Sequence, residues 1–268
     1  FSLDLFLAGL PRRSRARGRG RRVGERLPEG ARRPTTLSAG SPDGCVDPHV
    51  TLSSITPEKR AQLWRHLREA TPGSPDLASA FVTLEQSHPR FARLKEVLES
   101  VAVYHHAEEA IVRAGGASRV GAVYDVACGH GWVGQMLARR FPELQVHSID
   151  LQRRPAFDAL QEAWGAPLRN VEFEAGDLAT ISPAEGSLVL CTHGCNEVNI
   201  VAVDLARGAG AGWMVLPCCL QAAHYLPEAS SLKFSDEQRY AVLCGAMAAT
   251  YGAEKIASLD RRITPRNL

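Results

Sequence analysis

Apolar residues recur along this chain in two different rhythms. Between residues 56 and 115 they return every three or four positions: Leu63, Trp64 and Leu67, then Phe91, Leu94, Val97, Leu98 and Val101. Thr56-Pro57-Glu58 supplies a cap and a first-turn proline ahead of the first group, so this stretch predicts helices. Beyond residue 118 the rhythm changes. Strand-length segments at 122–126, 145–150, 171–175, 187–192 and 213–217 alternate with amphipathic stretches at 132–140, 155–164, 197–207 and 235–251, and 255–259 offers one more strand. Strands and helices alternating at that spacing build parallel crossover units, hence an α/β fold with a doubly wound, mainly parallel sheet. Ligands of such a sheet sit at the carboxyl edge of the strands. The sequence ends at Leu268, soon after the last segment, and a final antiparallel strand is expected to be missing.

The chain divides on this reading into a tail (1–50), a helical lead-in (51–117) and a sheet domain (118–268). The lead-in has two readings: it covers the ligand pocket, or it merely caps one face of the sheet. Residues 1–40 hold ten arginines and no lysine against Asp4, Glu25 and Glu29. The tail is expected to lack fixed structure, and its composition suits either an organellar transit segment or a solvated tail. With the tail so basic, the formal charge of +2 leaves the rest of the chain net acidic, so charge alone does not point to a nucleic-acid partner. Seven cysteines, two of them adjacent, form an odd set that reads as reduced thiols and an intracellular site, cytoplasmic or organellar, rather than a disulfide framework. No run of eighteen apolar residues suggests a membrane span.

The most informative segment is V-Y-D-V-A-C-G-H-G at 123–131, a strand ending on an acid and entering a glycine turn that opens a helix. Gly129, Gly131 and Gly134 spell G-x-G-x-x-G, and Asp150 ends the next strand, which is the dinucleotide fingerprint. An acid in that second place holds ribose hydroxyls in NAD and in S-adenosylmethionine alike. Asp125 is more discriminating. Four residues ahead of Gly129, its carboxylate suits a cationic amino-acid moiety, whereas a pyrophosphate would meet like charge. Gly176-Asp177-Leu178 after the third strand adds an acceptor suited to the exocyclic amine of adenine. No second substrate domain follows the sheet. The residues therefore favour S-adenosyl-L-methionine, with an NAD-dependent oxidoreductase as the rival.

Six motifs carry a resemblance: D-V-A-C-G-H-G (125–131), S-I-D (148–150), G-D-L (176–178), T-H-G-C-N-E (192–197), L-P-C-C (216–219) and D-R-R-I-T-P-R-N (260–267). From about residue 120 onward the chain resembles the class I S-adenosylmethionine-dependent methyltransferases, which have a Rossmann-like sheet. It is most similar to the branch that includes a tRNA ribose 2'-O-methyltransferase and a methyltransferase domain found beside a glutathione-transferase-like region. The resemblance implies that Asp125, Gly129 and Gly131 contact the methionyl part of the cofactor, Asp150 the ribose and Asp177 the adenine. Cys128, His130, Leu151 and Leu178, within or beside the same motifs, complete the expected cofactor-binding set. RNA is the acceptor favoured by likeness, with a protein side chain or small metabolite as alternatives. The chain departs from the branch after His193-Gly194-Cys195-Asn196, where Asn199 and Ile200 follow in place of the usual acid.

Transfer from a sulfonium needs a nucleophile held in line and, for a hydroxyl or amine, a place for one proton. His193 on the loop after the fourth strand is the expected base, and Asn196 and Glu197 are expected to orient the acceptor. The bland reading of His193 is a hydrogen bond to a neighbouring backbone carbonyl. Cys191, His193 and Cys195 alternate, and Cys218-Cys219 should lie on the next strand end, yet without a C-x-x-C pair the expectation is no metal. Cys128 reads as packing, the 260–267 run as a fixture of the sheet's last connection, and Arg266 as a minor candidate for substrate contact. A domain that keeps the pocket but only binds is a third reading, because the proline-aromatic acceptor motif of many amino methyltransferases is absent.

Overall fold

The computed structural model describes residues 6–9, 49–70, 76–195, 197–217, 219–227, 233–257 and 259. Among the described residues seven strands form one sheet: β1 (Phe6–Gly9), β2 (Ala122–Val126), β3 (Gln145–Asp150), β4 (Val171–Ala175), β5 (Leu188–Thr192), β6 (Gly212–Leu216) and β7 (Lys255–Ala257). Their spatial order is β4-β3-β2-β5-β6-β1-β7. The first five in that order run parallel, with Asp125 opposite Ser148 on one side and Leu190 on the other. Chain order reverses between β2 and β5, so the connections leaving these two strands part to opposite faces and open a crevice at their carboxyl ends.

Helices cover both faces. The lead-in folds as α1 (Pro57–Ala70), α2 (Leu77–Ser87), α3 (Leu94–Arg113) and the single turn α4 (Ala117–Val120). It joins α5 (Trp132–Arg140) and α6 (Pro155–Ala163) on one face, where Leu63, Leu67, Phe81, Val97 and Tyr104 share a core with Val123, Leu137 and Leu160. Full burial of each such side chain contributes about 1.5–3 kcal/mol, so the lead-in is an integral layer and not an appendage. The opposite face carries α7 (Glu197–Gly208) and α9 (Asp236–Tyr251), packed through Val203 and Met247 on Val126, Ile149 and Trp213. The short α8 (Ala222–Tyr225) precedes α9, whose start is a capping box of Ser235 and Gln238. Among the described residues no helix is long and apolar enough to cross a membrane.

The predicted strands and helices of the sheet domain reappear with boundaries within two residues, and one expectation is corrected. The tail was expected to lack fixed structure throughout, but Phe6–Gly9 runs antiparallel between β6 and β7, with Leu7 opposite Val215 and Ile256. Every residue of β6 is buried, and a buried strand leaves costly unpaired N–H and C=O groups unless its outer edge is covered. The short Phe-Leu-Ala-Gly segment meets that requirement. Among the described residues an antiparallel strand is thus present in the sheet, supplied by Phe6–Gly9. The arginine-rich remainder of the tail lies outside the described residues.

Candidate active site

The end of β2 is built for a ligand. Asp125 is 2% exposed, and one of its oxygens, Oδ2, accepts the Gly134 N–H from the first turn of α5 at 3.0 Å. Beyond Val126 the backbone turns left-handed at Ala127, Gly129 and Gly131 (φ 50, 56 and 69°). That leads it into α5 with Gly131 as N-cap. The turn is strapped to β3: Cys128 N–H donates to the Ile149 carbonyl at 3.1 Å, and Gly129 N–H donates to Asp150 Oδ2 at 2.8 Å. Burial raises the Asp125 pKa to about 7, the Gly134 hydrogen bond opposes that rise, and the nearby charge of Asp150 adds to it.

Across the crevice stands α3. Lys95, Glu96, Glu99 and Ser100 face Asp125, Ala127, Cys128, Gly129, His130 and Trp132, with Thr192 and His193 at the end of β5, around a cavity of about 360 Å³. Glu99, 1% exposed, lies with Oε2 3.1 Å from His193 Nε2 and Oε1 2.9 Å from Lys95 Nζ. Burial by itself raises the Glu99 pKa, but the His193 hydrogen bond and charge, with Lys95, outweigh it and leave the carboxyl below its usual range. Glu96 sits 3.4 Å from His130. Burial lowers the His130 pKa and outweighs the opposing pull of Glu96.

Of the sequence-predicted site residues, Asp125, Cys128, Gly129, His130 and His193 line this one cavity, and Asp150 joins it through Gly129. Leu151 is 77% exposed beyond the rim. Asp177 caps the turn Leu178–Thr180 by accepting the Ala179 N–H at 2.9 Å, and Leu178 packs on the face below; neither lines the cavity. Glu197 opens α7 as an exposed residue. Asn196, Cys218 and the 260–267 run with Arg266 lie outside the described residues.

The alternation of Cys191, His193 and Cys195 does not continue along a strand. β5 stops at Thr192, and His193 takes a left-handed φ of 60° while its N–H donates to the Leu216 carbonyl at 3.0 Å. Cys191 stays in the core, and Cys195 emerges on the surface with its sulfur 3.8 Å from that of Cys219. A non-glycine with positive φ is uncommon, although His adopts it more readily than most residues. Among the described residues Ala127 and His193 are the two non-glycines with positive φ, and both line the cavity.

Sequence reasoning missed Lys95, Glu96, Glu99 and Ser100. The apolar stripe of α3 announced a packed helix, but its polar positions carry no local sign of which ones the sheet edge will meet.

The cavity wall also contains polar atoms awaiting a partner. The Trp132 indole N–H and the Thr192 hydroxyl are buried and bond to no described protein group, and the space above Gly129 is open where a Cβ would stand. An anionic pocket with a bare backbone turn and orphaned donors fits a cationic, polar ligand of nucleoside size.

Residues 123–209 match a sequence family described as a methyltransferase domain. No curated protein matches the chain. Similar solved structures include the S-adenosylmethionine-dependent methyltransferase SibL in its apo form, with 22% identity over 59% of this chain and 38% of that one and a TM-score of 0.27. An O-methyltransferase family protein from Burkholderia thailandensis has 20% identity over 55% and 48%, with a TM-score of 0.31. Human N-acetylserotonin methyltransferase in complex with SAM has 16% identity over 59% and 49%, with a TM-score of 0.33. The chain spans less than half the length of each of these three.

Proposed function

We propose that this chain, whose residues 123–209 match a methyltransferase-domain family and whose sheet is Rossmann-like, is a class I methyltransferase that moves the methyl group of S-adenosylmethionine to an oxygen or nitrogen acceptor. The observation that carries the reading is the buried Asp125 carboxylate at the strand tip, beside the glycine turn and across one cavity from His193.

A buried carboxylate whose pKa stands near 7 is poised for a cation. The ammonium and sulfonium of S-adenosylmethionine supply one, whereas the pyrophosphate of NAD would face Asp125 and Asp150 at the turn and Glu96 and Glu99 across it. The cofactor, when bound, supplies a methyl group already activated by its positive sulfur. Asp125, the Gly129 turn, Trp132 N–H and the Thr192 hydroxyl would hold its methionyl part, and Asp150 its ribose. Asp177 and Leu178 remain the adenine-side candidates on the basis of the resemblance.

His193 is placed to take the proton that a hydroxyl or protonated amine must lose. A neutral imidazole at the operating pH is the usual group for that step. Glu96, Glu99 and Asp125 around it disfavour a carboxylate or phosphate at the reacting point, so the acceptor atom belongs to an uncharged or cationic group. An RNA hydroxyl satisfies this and is the acceptor that the branch resemblance favours; protein side chains and small metabolites satisfy it as well.

Titration calorimetry of the full chain with S-adenosylhomocysteine and, separately, NADH tests the cofactor. Binding of the first and not the second is expected, and the reverse would overturn the reading. Labelled cofactor incubated with fractionated RNA, protein and small molecules then identifies the acceptor, and binding without transfer to any fraction would instead indicate a non-catalytic module.

A further inference from the structure

We infer that Glu99 is a positioning residue that fixes the tautomer of His193, so that Nδ1 is the ring nitrogen that receives the acceptor's proton. The inference rests on the methyl-transfer reading for its consequence, though not for its geometry.

A carboxylate only accepts hydrogen bonds, and a neutral imidazole carries a single N–H. With Glu99 Oε2 3.1 Å from His193 Nε2, the hydrogen must sit on Nε2 and the lone pair on Nδ1. The hydrogen bond to His193 first, and then Lys95, 2.9 Å from the other oxygen, keep the Glu99 carboxyl below its usual range against the effect of burial, in its charged, accepting form. The third member of a nucleophile, base and orienting-group arrangement acts in this way: it selects the tautomer and steadies the positive charge that the ring acquires.

Two uncommon features meet at this contact. Glu99 is a carboxylate almost wholly withdrawn from water on a helix whose other buried residues, Ser100 apart, are apolar, and such a group is retained only when paired. His193 holds a left-handed backbone that directs its ring from the end of β5. Neither is needed to close the fold, since α3 already packs on α5 through its apolar stripe. Together they link the helical lead-in to the strand tip, and this gives the lead-in a role in the chemistry beyond covering the sheet.

Long-range proton–nitrogen correlation spectra of the full chain, labelled with 15N-histidine, test the assignment at alkaline pH, where the ring is neutral. The His193 signals are identified by their loss in His193→Ala. Wild type is expected to show Nε2 protonated and Nδ1 bare. Glu99→Gln keeps the volume but can offer either an oxygen or an N–H to Nε2, so it should give mixed tautomers, and Glu99→Asp should restore the wild-type pattern. An Nδ1-protonated ring in wild type, or a pattern that Glu99→Gln leaves unmoved, would overturn the inference. If Glu99→Gln does not fold, the wild-type spectrum alone decides. S-adenosylhomocysteine titrated into the same samples separates the two readings. Failure of wild type to bind it sinks methyl transfer and leaves the tautomer result standing, whereas binding with an indifferent tautomer sinks only the role of Glu99.

Discussion

Gly134 lies directly against Asp125. Its N–H donates to Asp125 Oδ2 at 3.0 Å, and a Cβ on residue 134 would stand 2.8 Å from that same oxygen and 3.1 Å from Val146 Cγ1. The third glycine of the G-x-G-x-x-G run therefore makes room for a buried carboxylate, which a dinucleotide site has no reason to keep there. Gly134→Ala must push the carboxylate from its place, and overpacking of this kind costs about 1–3 kcal/mol. Chemical denaturation should show that loss, and calorimetry a weaker affinity for S-adenosylhomocysteine. Unchanged affinity would show that Asp125 does not touch the cofactor.

Asp125 should make both stability and cofactor affinity depend on pH. Its folded pKa of about 7 lies above the ordinary 3.8, so the native state holds the proton that the unfolded chain gives up. Its cost is absent below the unfolded value, grows as pH rises between the two, and levels off above the folded one at on the order of 4 kcal/mol. Asp125→Asn removes that penalty, so its melting temperature should rise relative to wild type across that window and then hold. A cationic ligand needs the ionised form, and binding should release about 0.9 proton near pH 6, about 0.5 at pH 7 and almost none at pH 9. Calorimetry in buffers of different ionisation enthalpy measures this directly. A flat proton count would remove Asp125 from the ligand contact.

What could be read from the sequence was local. The turn from Asp125 to Gly134 is confined to ten consecutive residues, with its acid, its glycines and its helix in one run, so periodicity and composition were enough to place it. β2, β3 and β4 are equally plain, being strand-length segments that carry apolar residues and end at or beside an acid or a glycine. Glu99 was not legible, because its partner His193 lies far downstream and nothing near Glu99 distinguishes it from a solvent-facing glutamate. β1 escaped for the same reason in sharper form: four residues beside an arginine-rich stretch become a strand only because distant β6 and β7 have edges to cover. Asp177 carries a second duty that its motif does not announce: one carboxylate oxygen, Oδ1, accepts the Ala179 N–H of the following turn.

His193 can be tested as a base separately from its backbone. Asparagine tolerates the left-handed region better than most residues, so His193→Asn removes the imidazole while keeping a side chain suited to φ 60°. Transfer of label to the acceptor should fall about 10²–10⁴-fold, with S-adenosylhomocysteine affinity and thermal stability close to wild type. Retained turnover would reduce His193 to a wall of the pocket.

Cys128 sits within the glycine turn, where a nucleophile would draw attention, but its surroundings make it inert. Burial pushes its thiol pKa well up, and the charges of Asp125 and Asp150 push it further. Cys191 is driven the same way, to about 12, by burial and then by Asp125. Alkylating reagents attack the thiolate, so these two should react slowly even where a small reagent reaches them. Cys195 and Cys219 are exposed. Limited treatment of the native chain with iodoacetamide, followed by peptide mass spectrometry, should label Cys195 and Cys219 at least about tenfold faster than Cys128 or Cys191. Saturating S-adenosylhomocysteine should slow Cys128 further and leave Cys219 unchanged. First labelling at Cys128 would mean that the turn stabilises an anion, which is incompatible with a pocket arranged around Asp125 for a cation.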